Sequence, residues 1–123
     1  MTVKECLDLF DAERRNTVPD TTKLGWLTDL DSFVYAAYAR SRKAGGSEPA
    51  LPYTDRQSEE ELLIKTPFTD AYFFWLDIKY DLFLGDADRF NNDKRLFDNA
   101  LDEYAAFLTR SGGYSGKKLI FNV

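Results

Sequence analysis

The amino-acid sequence predicts an all-α fold, a compact bundle of four principal helices, and three observations carry that expectation. Apolar residues recur at steps of three and four in four separate stretches. Capping residues open these stretches, and a glycine closes one of them sharply. At 123 residues, with 44% hydrophobic and 15% aromatic side chains, the chain suits one domain that buries about two-thirds of its unfolded surface.

Each element follows from local signals. Thr2 and Glu5 form a T-x-x-E capping box, and Val3, Cys6, Leu7 and Phe10 then share one helical face. This first helix is expected to fade near Arg14 to Asn16. A second begins after Val18-Pro19 with Asp20 or Thr21 as its cap. Its stripe is Leu24, Leu27, Leu30, Val34, Ala37 and Tyr38, flanked by Trp26 and Phe33. Gly25 costs this helix about 1 kcal/mol relative to alanine, for which close helix packing is a reason. Residues 43–57, KAGGSEPALPYTDRQ, break the periodicity and read as a long surface loop between helices two and three. Loops of this length are usually functional or disordered.

Ser58 and Glu61 read as another capping box, opening a short turn through ELLI. Thr66-Pro67 is then expected to start the third long helix, with Thr as cap and Pro at the first helical position. Its body, FTDAYFFWLDIKYDLFL, is apolar over most of its circumference, with Asp70, Asp77 and Asp81 on one narrow stripe. Such a helix is central, or it faces a partner subunit. Gly85 ends it. The fourth helix is expected from about Asp86 to Arg110, burying Phe90, Phe97, Leu101, Tyr104 and Leu108. Residues 111–123 form a C-terminal arm whose KKLIFNV reads as a short strand or extended segment. The whole of 1–123 is expected to be a single helical domain.

Charge narrows the function classes. The formal charge is −5, with 21 acids against 16 bases, and the longest basic cluster is Arg40-Ser41-Arg42-Lys43. Affinity for phosphate backbones comes largely from Lys and Arg displacing counterions, so sequence-specific nucleic-acid binding is not expected. Helices three and four, joined by a short turn, have the outline of a helix-turn-helix. Its reading helix, however, would carry Arg89, Lys94 and Arg95 among Asp86, Asp88, Asp93, Asp98, Asp102 and Glu103. Cys6 is the single cysteine, which excludes an internal disulfide and fits a reducing compartment. The first residues lack the basic end and apolar run of a signal peptide. Nothing approaches the ~20 apolar residues of a membrane span. A soluble intracellular domain is expected.

The candidates for chemistry do not assemble. GDADRFNND, residues 85–93, resembles the opening of a calcium loop. Such a loop needs D-x-[DN]-x-[DN]-G and a Glu at position twelve. Counted from Asp86, the fifth, sixth and twelfth positions are Phe90, Asn91 and Phe97. Asp86 therefore reads as a helix cap, with Asp88 near the positive end of the helix dipole. The sequence has no histidine, which removes Ser-His and Cys-His dyads and His-containing metal sites. Cys6, on an apolar face, reads as a buried thiol. The pairs Asp29 with Asp31 and Asp77 with Asp81 could bind Mg²⁺ or exchange protons, but solvent-facing acids are the commoner case. Gly45-Gly46 and Gly112-Gly113 lack the Lys and helix of a phosphate loop and read as hinges or turns. No catalytic, cofactor or metal residues are expected.

In order, KLGWLTDLD (23–31), PYTD (52–55), ELLIKTPFTDAYFFWLDIKYD (61–81) and GDADRFNND (85–93) resemble the head–tail connector, or head completion, adaptors of tailed bacteriophages and prophages. The likeness spans almost the whole chain. It departs from the family pattern at Ala87, where a larger apolar residue is usual, and at Phe90, where Tyr is. What the resemblance implies is a non-enzymatic structural protein of the virion neck, assembled in the bacterial cytoplasm. Many copies would form a ring under the portal that joins the capsid vertex to the tail or stopper, with DNA passing through. The partners implied are the portal protein, the tail or stopper protein, and further copies of the chain. An acidic ring would repel the phosphates of a sliding genome. The alternative reading is a cytoplasmic helical interaction or regulatory module without catalysis, working through the aromatic surface of helix three.

The segments expected to reach partners are the loop, through Leu51 and Tyr53, and the arm. On the arm Lys117 and Lys118 precede Leu119, Ile120 and Phe121, and a strand-like arm can add to a partner's sheet edge. Packing of the arm against its own domain is the competing expectation.

Overall fold

The structure, a computed structural model, describes residues 1–37 and 50–110. Four helices account for its regular structure: α1 (Val3–Glu13), α2 (Asp20–Ala37), α3 (Asp70–Leu84) and α4 (Ala87–Arg110). The all-α bundle expected from the periodicity is the observed fold. α3 is its centre, packing on α4, α2 and α1.

Local chemistry explains the helix ends. Thr2 Oγ1 accepts the Glu5 N–H while Glu5 Oε1 accepts the Thr2 N–H, both at 3.1 Å, so the first capping box is reciprocal. At the other boundary Gly85 adopts φ 74°, and its N–H donates back to the carbonyls of Asp81 and Leu82. That left-handed backbone suits glycine because a Cβ would crowd the following carbonyl. Asp86 then caps α4, its Oδ1 accepting the Arg89 N–H at 3.1 Å.

The core is continuous across the elements. Val3, Cys6, Leu7 and Phe10 of α1 meet Leu24, Leu27, Leu30 and Val34 of α2 and Tyr72, Trp75, Leu76 and Ile78 of α3. From α4 come Phe97, Leu101, Tyr104 and Leu108, while Phe90 is half-buried against them. The Trp75 ring lies 5.3 Å from Phe97, and its Nε1 donates to the Trp26 carbonyl at 2.7 Å, so one side chain ties α3 to α2 and α4.

Three expectations are corrected. Gly25 is exposed, and a Cβ there would meet nothing within 4 Å, so close packing does not account for it. Ser58 and Glu61 do not open a helical turn. Residues 58–62 run extended against the N-terminus: Thr2 and Glu61 pair as an antiparallel bridge, and Leu62 N–H donates to the Met1 carbonyl at 2.9 Å. The carbonyls of Glu60 and Ser58 accept the N–H groups of Val3 and Lys4, at 3.0 and 3.1 Å. The first turn of α1 thereby satisfies donors that have no partner inside the helix. Third, α3 begins at Asp70 with Thr69 as cap, and Pro67 stands in the preceding turn, where Phe68 N–H donates to the Lys65 carbonyl. Residues 50–57 are loop, as expected, and this loop is tied to the helices. Tyr53 N–H donates to Thr28 Oγ1 at 3.0 Å, and Arg56 reaches three acids on two helices. Tyr38, residues 43–49 and the arm (111–123) lie outside the described residues.

Candidate functional site

The acids scattered through the sequence gather into three polar clusters, each joining elements far apart in the chain. The first centres on Asp31, whose side chain is wholly buried. Tyr53 and Tyr72 donate their hydroxyls to its two oxygens at 2.6 Å each, and Leu63 N–H adds a third bond at 3.1 Å. Tyr72 Oη in turn accepts the Ile64 N–H at 2.7 Å. Burial pushes the Asp31 carboxyl above its usual range, and the three donors oppose that shift by stabilising the charge. The same burial, with the carboxylate beside them, raises both tyrosine hydroxyls.

The second cluster lies between α1, α3 and α4. Arg14 forks to Asp77 at 3.1 Å and Asp81 at 2.9 Å, and its guanidinium lies 4.5 Å from the centre of the Tyr80 ring. Arg89 approaches Asp81 Oδ1 at 4.0 Å. Asp81 Oδ2 is buried and receives no N–H or hydroxyl among the described residues. The Asp93 carboxyl of α4 lies within hydrogen-bonding reach of Asp81. A protonated Asp93 carboxyl can donate to Asp81, which relieves the repulsion between the two carboxylates. Burial, the Asp81 hydrogen bond, and the Asp81 and Asp77 charges push the Asp93 carboxyl up to about 7, against the pull of Arg14.

The third cluster pins residues 50–57 to the first two helices. Arg56 pairs with Asp8 at 3.1 Å, Asp11 at 2.6 Å and Asp20 at 2.8 Å. Lys23, buried in α2, donates to Asp11 at 2.9 Å and to Asn16 Oδ1 at 3.3 Å. Its ammonium is thus taken out of water with its partners in place.

These placements revise the expected sites. Asp31, Asp77 and Asp81 are not solvent-facing acids; they are bonded between helices, while Asp29 is exposed. Tyr53, expected to reach a partner, has its ring in the core and its hydroxyl on Asp31, so it presents no contact surface. Leu51 is half-buried against the core. Lys117, Lys118, Leu119, Ile120 and Phe121 lie outside the described residues. Cys6 is buried, and burial raises its thiol far above the reactive range. Among the described residues no group of three or more Cys, Asp or Glu could hold a metal ion, and no helix is long and apolar enough to cross a membrane.

The sequence carried signals that the helical stripes alone did not use. Asp31 continues the run Leu24, Leu27, Asp31, Val34, and Lys23 continues Lys23, Leu27, Leu30, Val34, both at steps of three and four. A charge on an apolar stripe must meet a partner, and these do. Arg14 and Arg56 had no such signal, because their acids lie on other elements.

Among the described residues, exposed large apolar side chains gather most densely at the end of α3. Leu82, Phe83 and Leu84 are 50%, 56% and 54% exposed, in consecutive positions just before the Gly85 turn. Exposed apolar side chains grouped at one helix end are candidates for contact with a partner. Compared with known proteins, the chain matches no family model, no curated protein and no solved structure.

Proposed function

We propose that this chain is a non-enzymatic head–tail connector adaptor, which assembles as a ring beneath a phage portal and joins the capsid vertex to the tail or stopper. The observation that carries the reading is the use the fold makes of its landmark segments. Each of them supplies a residue to the buried polar clusters: Lys23 and Asp31 from KLGWLTDLD, Tyr53 from PYTD, Tyr72, Asp77 and Asp81 from the long third stretch, Asp93 from GDADRFNND. The residues on which the resemblance rests are therefore those that fasten the helices together. The exposed Leu82–Leu84 tip supplies a surface that a neighbouring subunit or portal would cover.

The regulatory-module alternative relied on an aromatic face of the third helix. In α3, Tyr72 and Trp75 are buried and Phe73 and Phe74 half-buried, so Phe83 is the strongly exposed aromatic residue of that helix.

Native mass spectrometry of this protein mixed with the portal encoded by the same genome tests the proposal. Saturable binding of a ring's worth of copies, lost in Phe83→Asp while the melting temperature holds, is the expected result. No binding to a correctly assembled portal would overturn the connector reading and favour the regulatory module. A monomeric mass for the free protein decides nothing, because a ring can be templated by its partner.

A further inference from the structure

The Leu82–Leu84 tip has a complement elsewhere on the molecule. Between the start of α3 and the second half of α4 runs a groove with an apolar floor and an acidic rim. Phe68, Phe74, Leu96 and Ala100 form the floor, and Asp70 and Glu103 stand exposed at the rim. Its volume is about 270 Å³. Small-molecule sites run from roughly 300 to 1,000 Å³, so the space suits one or two protein side chains better than a metabolite. Neither rim acid is ion-paired among the described residues.

The tip carries the opposite charge. Lys79 precedes Phe83 by four residues and so shares its face of α3. Tyr80 stacks on Phe83 at 6.3 Å, and its hydroxyl donates to the Arg15 carbonyl at 3.4 Å, which brings the end of α1 beside the tip. Lys79 lies over the Trp75 ring and Arg15 is exposed, and neither is ion-paired among the described residues. The nearest acids along the chain, Asp86 and Asp88, belong to the start of α4, where Asp86 is engaged in the cap. We propose that the Leu82–Leu84 tip of one copy seats in the α3–α4 groove of a second copy, with Phe83 on the apolar floor and Lys79 and Arg15 toward Asp70 and Glu103.

A single copy cannot make this contact. Phe83 and Asp70 stand near opposite ends of one helix, about 20 Å apart along its axis, and that helix is itself a wall of the groove. A knob and a hole at different places on one molecule give a head-to-tail contact, which leaves each pair with one unused tip and one unused groove. Copies added in this way close into a ring or extend as a filament. The contact deepens the connector reading, on which closure into a ring rests, whereas the pairwise step needs no portal. It is also small: three half-exposed side chains fall well short of the ~800 Å² per partner of a stable interface. Two free copies therefore hold each other weakly, and the contact accumulates when many copies are brought together.

The test traps the contact covalently in full-length chains without a portal, so its outcome is independent of the portal-binding experiment. Leu84→Cys marks the tip and Asn99→Cys the groove, both at exposed positions. Cys6, buried and with its thiol raised, stays unreactive. A short bismaleimide added to the two variants mixed at high concentration is expected to give a tip–groove adduct. Its yield should be several-fold that of Leu84→Cys mixed with Gly25→Cys, an exposed site away from the groove. Placing Asp70→Lys and Glu103→Lys in the Asn99→Cys chain should abolish the excess while the melting temperature holds. An adduct no more abundant than the Gly25→Cys reference would overturn the proposal, as would an excess that survives the charge reversal. Leu84→Cys chains that link to one another as readily as to Asn99→Cys chains would overturn it too, since that pattern joins tip to tip.

Discussion

Replacing Arg14 by methionine removes the cation that joins α1 to α3 and leaves its two acids behind. The Asp81 side chain is 0% exposed, that of Arg14 14% and that of Asp77 29%. Breaking a fully buried pair costs about 3–5 kcal/mol because one charge stays uncompensated, whereas exposed pairs contribute at most about 1 kcal/mol. The Asp81 half of the fork sits at the buried limit, and the Asp77 half is discounted for its exposure. Arg89 at 4.0 Å and the Asp93 carboxyl soften the loss. Together these place the cost of Arg14→Met at about 3 kcal/mol. For a chain of this length about 4 °C accompanies each kcal/mol, so the melting temperature should fall by roughly 12 °C. Thermal melts and urea titrations read at an unchanged m-value measure it. The double substitution Arg14→Met with Asp81→Leu should recover more than half of the loss, since an apolar replacement of a buried pair is often close to neutral. A single-variant loss below about 1 kcal/mol, or a double variant no better than the single, would refute the assignment of Arg14 as the compensating charge.

Three further outcomes follow from the same clusters and helices. Asp93 binds its proton more tightly in the fold than in the unfolded chain, its carboxyl moving from 3.8 to about 7. Its contribution is therefore complete at acidic pH and lost as pH rises through 7; Asp93→Asn, whose amide can donate to Asp81 permanently, should flatten that decline in melts run across the range. Tyr72→Phe should cost more than Tyr53→Phe, about 3 against 1.5 kcal/mol by chemical denaturation, because it also strands the Ile64 N–H that Tyr72 accepts. Gly25→Ala should raise stability by up to about 1 kcal/mol in the same assay, since the site is helical and a Cβ meets nothing within 4 Å.

The helices were legible because their determinants are local. Thr2 with Glu5, Gly85 with Asp86, and the stripes of α2 and α4 are all set within a few residues, and each formed as the spacing required. The failures share one cause. Ser58 and Glu61 satisfy the capping-box pattern, yet the backbone around them is recruited by Val3 and Lys4, more than fifty residues earlier, and nothing in the local QSEEELLI (57–64) announces that. Thr66-Pro67 likewise has the form of a helix start, but the chain turns once more before Thr69. Asp77 and Asp81 were correctly placed on one stripe of α3. What the period could not say is that Arg14 would face that stripe in place of water. For the candidate site the limit is sharper: Tyr53 stood in a stretch of loop composition, and only Asp31, on another helix, explains why its hydroxyl is drawn inward.

The Arg14 fork also bears on the order in which the molecule can form. α3 and α4 are joined through the Gly85 turn, and their contacts close over short stretches of chain. The partners of α1 are distant, with Arg14 separated from Asp81 by 67 residues and Arg56 from Asp8 by 48. Closing such long loops costs entropy before any contact repays it. The α3–α4 hairpin is therefore the natural nucleus and α1 the last element to dock. Because Cys6 is buried on the face that α1 turns to the core, detachment of α1 is also a motion that would bring its thiol to solvent.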